Sequence, residues 1–225
     1  MIITIDGPAA AGKSTVARAL AARLGCEYLD TGAMYRAATW KVLSEGVALE
    51  DDCAVRRASA EADIEFRHDA GVTRVLCDGR DVTAEIRTPE VTANIYRVAD
   101  LPAARAVLIE RQRRHAGDRG LVTEGRDQGT EVFPEADVKF YLDASLEVRA
   151  ARRMADLAKQ GTDVAEREVL KQVSERDAQD RARPVGSLRR SDDMIVIDST
   201  CLSAEEVVSK MVEFVAGAGR GDSSA

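Results

Sequence analysis

The sequence predicts an α/β protein with a parallel sheet core and helices on both faces. Three observations predict it. Short apolar runs with strand character alternate with helical stretches along 225 residues, the pattern of successive βαβ units. The first such run ends in a glycine-rich loop that opens directly into a helix. One stretch, 62–84, leaves the alternation and reads as a small antiparallel sheet inserted between helices.

The elements follow in order. Residues 2–5, IITI, form a short buried strand. KSTVARALAARL (13–24) spaces its apolar residues for a helix, and Gly25 stops it. EYL (27–29) is a second strand, and Asp30 or Thr31 caps a helix through about Leu43, ended by Gly46. A further helix covers 51–61. DIEFRHDAGVTRVLCDGRDVT then alternates polar and apolar, with turn signals at Asp69–Gly71 and Asp78–Gly79. Helices return at about 89–99 and 102–115, the second with Pro102 in its first turn. LVTE (121–124) and VKFYL (138–142) are strands ending at charged loops. A long helix spans about 145–159, Gly161 breaks it, and an Arg/Asp-rich helical stretch runs to Arg183. MIVID (194–198) is the last strand and SAEEVVSKMVEFVAG the last helix. The tail, 218–225, is expected to be disordered, and its Arg220-Gly221-Asp222 is read as a chance tripeptide.

Composition narrows the class. An apolar share of 45% and a charged share of 32% describe an ordinary globular protein. No window approaches the roughly 20 apolar residues of a membrane helix. The opening strand runs straight into the glycines, unlike a secretory leader, so a cytoplasmic protein is expected. Cys26, Cys53, Cys77 and Cys201 form no C-x-x-C pair and are read as reduced, mostly buried thiols. Two histidines, His68 and His115, argue against a His-based zinc site or triad. A net charge of −7 and 4% aromatic residues disfavour a nucleic-acid binder. Clustered arginines suggest sites for small anions, because a guanidinium fork matches phosphate.

The glycine stretch supplies the chemistry. Gly7, Pro8, Ala9, Ala10, Ala11, Gly12, Lys13 and Ser14, followed by Thr15, fit G-x-x-x-x-G-K-[ST]. Gly7 and Gly12 tolerate backbone angles that let successive N–H groups turn inward around an anion. The alanines keep side chains clear, and the helix from Lys13 adds its positive dipole end. Lys13 reaches the β- and γ-phosphates, and the Ser14 hydroxyl can bind Mg²⁺. The loop alone says that a nucleoside triphosphate binds. Switch GTPases, motors and small-molecule kinases all use it. No N-K-x-D guanine-reading motif is present, and the chain is short for most motors. On spacing alone, Arg36 is equally an arginine facing the phosphate loop or a surface residue, and 174–190 reads as a solvated charged helix.

Several stretches together resemble the bacterial cytidylate kinase family. They are IDGPAAAGKST, YLDTGAMYRA, GRDVTAEIRTPEV, EGRDQGTEVFPEADVKFYLDAS, RAARRM, SERDAQDRARP and IDSTCLSAEEVV, in the right order over essentially the whole chain. The resemblance implies a P-loop nucleoside-monophosphate kinase fold with a helical lid and transfer of the γ-phosphoryl of ATP, with Mg²⁺, to CMP and dCMP. It implies a core of 1–61, 102–150 and 190–217, a CMP-binding insertion at 62–101 and a lid at 151–189. It implies that Lys13 and the loop amides hold ATP, with Arg152 and Arg153 approaching it from the base of the lid. Arg36 and Arg126 would hold the CMP phosphate, with Thr31 and Arg87 on the monophosphate side. Arg105 and Asp127 would read the base. Arg176, Asp180 and Arg183 would contact the pentose and close over the transferred group. Tyr96 stands where the family commonly has a serine that helps bind cytosine, and Glu124 where an aspartate often precedes Gly-Arg-Asp. A monomer is expected, with no nucleic-acid or membrane partner. Other small P-loop kinases, of the UMP/CMP or shikimate type, are the alternative enzymes. A nucleotide-dependent scaffold is the alternative of a different class.

Overall fold

The computed structural model describes residues 1–69, 72–117, 120–159 and 161–218. The turn expected at 69–71 and the tail at 219–225 lie outside the described residues. Two compact units emerge, one of residues 1–29 with 116–225 and one of 30–115.

The first unit is built on a five-stranded sheet. Its strands are β1 (Ile2–Asp6), β2 (Glu27–Asp30), β6 (Leu121–Gly125), β7 (Val138–Asp143) and β8 (Ile195–Asp198), in the order β2-β6-β1-β7-β8. β1 pairs in parallel with β6 and β7, and β7 with β8. The alternation of β1 explains its place at the centre. Ile3 and Ile5 are fully buried in a cluster with Val16, Leu20 and Ala21 of α1 (Lys13–Leu24) and Val207, Val208 and Met211 of α8 (Ala204–Ala218). Thr4 and Asp6 lie on the opposite side of the strand, also fully buried. The parallel register sets Asp6 across from Gly125 on one neighbour and Tyr141 on the other. The C-terminal ends of β1, β6 and β7 therefore form one edge, where open α/β sheets place their ligands. α6 (Leu146–Lys159) and α7 (Glu166–Ala182) pack together through Ala150, Val169 and Val173.

The helix boundaries follow local signals. Gly25 closes α1 in a left-handed conformation, with its N–H donating to Ala21 O. Asp30 caps α2 (Thr31–Ser44) by accepting from Ala33 N. Thr88 caps α4 (Pro89–Ala99), which begins on proline.

The second unit joins α2, α3 (Asp52–Glu61), α4 and α5 (Pro102–His115) to an antiparallel sheet of β3 (Ile64–Asp69), β4 (Val72–Cys77) and β5 (Arg80–Asp81). Its core gathers Ala33, Ala37, Ala62, Val75, Cys77, Val82 and Ile86. The Asp78–Gly79 turn has positive φ at both residues, 53° and 76°, the pattern of a type I′ hairpin. Asp78 accepts from Asp63 N and pairs with Lys41 at 2.6 Å, so the turn anchors the sheet to α2.

Parallel sheet, helices and antiparallel insertion are as the sequence predicts. Two expectations change. Residues 128–132 form one π-helical turn rather than an open loop. All four cysteines are free, but Cys53 and Cys201 are exposed and Cys26 half-buried. Both exposed thiols sit where polar neighbours dominate, and a cysteine without a periodic apolar context carries no burial signal.

Gly7 is where the sheet and the loop meet. A Cβ there would lie 2.0 Å from the carbonyl oxygen of Leu142 on β7, a backbone atom of the central sheet. Gly7→Ala is expected to cost about 3 kcal/mol or more, read as a fall in the urea midpoint of unfolding. An unchanged midpoint would show that the loop moves off β7 without cost.

Candidate active site

The phosphate-type loop spans Gly7–Gly12, between the end of β1 and the start of α1. Its backbone is unusual at Ala10, which takes φ 59°, and at Gly12, φ 95°. Alternating hand along a short backbone run is how successive amides come to face one point. The carbonyls of the same loop are taken up by cations. Lys13 Nζ donates to Pro8 O at 2.7 Å. Arg149 Nη1 donates to Ala9 O at 3.1 Å. Arg152 Nη1 donates to Ala11 O at 3.0 Å and also grips Ser199. Ala9 N in turn donates to Asp177 Oδ1 at 3.1 Å, and Asp177 Oδ2 is 2.6 Å from Arg149. Arg149 and Asp177, both buried, thus hold Ala9 of the loop by its carbonyl and its N–H.

Behind the loop lies a buried charged cluster. Burial pulls the Lys13 ammonium down to about 7, and Arg126 adds to the effect, while Glu124, Asp180 and Asp6 oppose it. Burial pushes the Asp6 carboxyl up to about 7, although it accepts from Gly129 N and Gln128 N, with Asp127 raising it further and Lys13 lowering it. Ser14 Oγ donates to Glu124 Oε1 at 2.6 Å. Asp180, fully buried, collects three guanidiniums: Arg126 at 2.6 Å, Arg183 at 2.9 Å and Arg176 at 3.3 Å.

The first unit therefore places Lys13, Ser14 and Arg152 at the loop and gathers Arg126, Arg176 and Arg183 on Asp180. Arg153 lies on α6 one residue beyond Arg152, half-buried, and Asp127 is buried at the start of the 128–132 turn. The second unit holds Thr31, Arg36, Arg87, Tyr96 and Arg105. Arg36 donates to Thr92 Oγ1 at 2.8 Å and Ile86 O at 3.3 Å, which fixes α2 against α4. Arg105, 2% exposed, donates to Ala99 O and lies 5.3 Å from the Tyr35 ring centroid. Thr31 is buried at the start of α2. Arg87 is exposed, in a short 3₁₀ turn. Tyr96 is 42% exposed, with the Arg97 guanidinium 5.0 Å from its ring.

Three residues of the site escape the sequence reading: Asp6, Arg149 and Asp177. An acid ending a buried strand immediately before Gly7 is the signal for Asp6. Arg149 stands in the RAARRM stretch at the helical spacing that buries Ala150. Nothing in the sequence separates Asp177 from the other acids of its helix.

A parallel sheet whose central strand feeds a G-x-x-x-x-G-K-S loop and a helix defines a P-loop protein. The family described as cytidylate kinase matches residues 3–217, and the chain belongs to that family. A cytidylate kinase from Rhodopirellula baltica is 47% identical over 96% of this chain and 92% of its own length. A bifunctional pantoate ligase/cytidylate kinase from a Nostoc species is 45% identical over 95% of this chain, which spans 41% of that longer protein. Among solved structures, an uncharacterized protein from Eubacterium ventriosum has a similar fold, with TM-score 0.55 at 11% identity over 96% of this chain and 98% of that one.

The Asp180 cluster yields a stability prediction. Burial acts to raise the Asp180 carboxyl, but Arg126, Arg176 and Arg183 override it and hold it below the ordinary 3.8. A carboxyl with a lowered folded value stabilises fully above the unfolded value and loses that contribution as pH falls through the folded one. Asp180→Ala is expected to cost about 3–5 kcal/mol at pH 7. Denaturant titrations should show the deficit narrowing once pH drops below the ordinary carboxylate value. A deficit independent of pH would mean that lost packing, not charge, carries it.

Proposed function

We propose that this chain transfers the γ-phosphoryl group of ATP to CMP, and also to dCMP, giving ADP and the nucleoside diphosphate. The observation that carries the reading is the Gly7–Ser14 loop with Lys13 behind it, in a chain of the cytidylate kinase family. An oxygen of the CMP phosphate attacks the γ-phosphorus. The bond from that phosphorus to the bridging oxygen breaks, and ADP leaves. No protein nucleophile is needed, so the protein's task is to align two anions, neutralise their charge and exclude water.

The residues divide by task. Residues 7–15, through the loop amides other than Pro8, which has no N–H, and Ala9, whose N–H donates to Asp177 Oδ1, are assigned to ATP together with Lys13, Arg152 and Arg153. The Ser14 hydroxyl beside the Glu124 carboxylate is a pair of hard oxygen donors that suits Mg²⁺, which prefers oxygen ligands and keeps several from phosphate and water. Bound there, Mg²⁺ would neutralise charge on the β- and γ-phosphates. Arg36 and Arg126 are assigned to the CMP phosphate, with Thr31 and Arg87 on the monophosphate side. Arg105, Asp127 and Tyr96 are assigned to the base, and Arg176, Asp180 and Arg183 to the pentose and the transferred group. In this scheme 62–101 is the CMP-binding insertion and 151–189 the lid. We propose a monomer as the working unit. Among the described residues no helix is long and apolar enough to cross a membrane, and we place the reaction in the cytoplasm.

Base choice follows from donor and acceptor pattern. Cytosine offers an N4 amino donor to the Asp127 carboxylate and acceptors at N3 and O2 to a guanidinium. Uracil reverses two of these three groups: O4 accepts where N4 donates, and N3–H donates where N3 accepts, while O2 is unchanged. Each buried mispairing costs about 1–3 kcal/mol, so UMP is expected to react at least about tenfold more slowly than CMP. A coupled ADP-release assay across the monophosphates measures this. Equal rates would remove the base-reading assignment, and ADP release without any monophosphate would favour the scaffold reading.

Arg176→Ala is expected to depress kcat by about 100-fold or more while circular dichroism and the melting temperature stay near the parent's. Retained kcat would take Arg176 out of the reaction.

A further inference from the structure

Asp6 is the one acid of β1, and its position is unusual. It ends the central strand, is fully buried, and immediately precedes the phosphate loop. Its place suits a carboxylate that serves the loop, yet each of its oxygens accepts from an amide of another segment. Oδ1 accepts from Gln128 N at 2.8 Å and Oδ2 from Gly129 N at 2.7 Å. These are the first two amides of the π-helical turn that follows Arg126 and Asp127. The loop has its own ties, through Lys13, Arg149 and Arg152 to its carbonyls.

The turn needs such an anchor. It leaves β6 at Gly125, directly across from Asp6, and folds over the β1 face that carries Thr4 and Asp6. Gly129 sits so close to β1 that a Cβ would lie 2.8 Å from Thr4 Oγ1 and 3.0 Å from the Met194 methyl. Within the turn, Glu131 N and Val132 N both donate to Asp127 O, and Phe133 N to Gln128 O. A second tie runs from Thr123 Oγ1 to Gln128 Oε1 at 3.0 Å. The backbone of Asp127 is thus fixed on its C-terminal side by a turn that Asp6 bolts to the central strand.

We propose that Asp6 is a positioning residue for CMP rather than for ATP: its carboxylate holds the 128–129 amides and so fixes Arg126 and Asp127 for the monophosphate. The proposal rests on the assignment of Arg126 and Asp127 to CMP. A carboxylate is required because it alone among side chains of this size presents two acceptors to two adjacent N–H donors. An asparagine offers one acceptor and turns its NH₂ against the other amide. The register makes the link direct, since one strand pair carries both the loop and the turn.

The test uses the full chain with three variants. In Asp6→Asn, KM for CMP is expected to rise about tenfold, as one buried donor loses its acceptor. The preference for CMP over UMP should fall with it. Affinity for a non-hydrolysable ATP analogue, measured calorimetrically, should stay within about twofold. Equal losses for both nucleotides, or a lower melting temperature with KM for CMP unchanged, would overturn the proposal, because a merely structural acid would act on both sites or on neither. Thr123→Val removes the second, side-chain tie while keeping β6 and its shape. It should raise KM for CMP by about threefold, and it decides the matter if Asp6→Asn does not fold. An unchanged KM there would overturn the proposal. Asp127→Asn separates the two levels. If it leaves CMP affinity and base preference intact, the assignment of the base site fails. If it impairs them while Asp6→Asn does not, the assignment stands and the positioning role fails.

Discussion

A loop can offer its amides to an anion only if its carbonyls are held by something else, and that constraint organises the first unit. Carbonyl oxygens carry the opposite partial charge to the amides, and a small loop cannot turn all of one kind inward without exposing the other kind to a partner. Here the partners are cations. Lys13 holds Pro8 O, Arg149 holds Ala9 O and Arg152 holds Ala11 O. The left-handed Ala10 lies between the second and third of those contacts, and Gly12 directly after the third. Two of the three cations come from α6, which explains why that helix is packed where it is and why its arginines are not simply a solvated face. The bond from Arg149 to Asp177 then extends the same scaffold to α7.

Holding so many ionisable groups out of water has consequences for their protons. Asp6 and Lys13 are both displaced toward about 7 by burial, from opposite directions. Each counts among the charges acting on the other, so their titrations belong to the pair rather than to either residue. Glu124 sits beside both the Ser14 hydroxyl and the Lys13 ammonium. The cluster is therefore balanced by proximity rather than by exposure, with Asp6 the weakest of the charges acting on Lys13.

Much of this was legible in the sequence, and the parts that were not share a cause. Helix limits such as 13–24, 89–99 and 102–115 were readable because caps, prolines and periodicity act locally. The Asp78–Gly79 turn was readable for the same reason. The loop was readable because its chemistry demands a fixed spacing, and the family resemblance added the arginines. What escaped depends on contacts distant in sequence. The π-helical turn at 128–132 exists because Asp6, 122 positions away, takes its amides. Arg149 is buried because Asp177 and Ala9 meet it, and neither is a local neighbour. The exposed cysteines escaped for a different reason, since a single thiol is compatible with either environment.

The gathering at Asp180 shows how the same logic extends from binding to chemistry. Arg126 comes from the turn after β6, and Arg176 and Arg183 from α7 and its end. Like charges brought within about 4 Å repel by about 4 kcal/mol at an effective dielectric of 20, so three guanidiniums do not converge unaided. One buried carboxylate offsets that repulsion and sets the directions in which the forks point. Lysines would not serve equally well. An ammonium is a point charge without a fixed fork, whereas a guanidinium can keep one edge on Asp180 and turn another to an oxygen of a phosphate. In the reaction proposed above, such an arrangement would act preorganised, because the reorientation of these charges is done in folding rather than during the transfer.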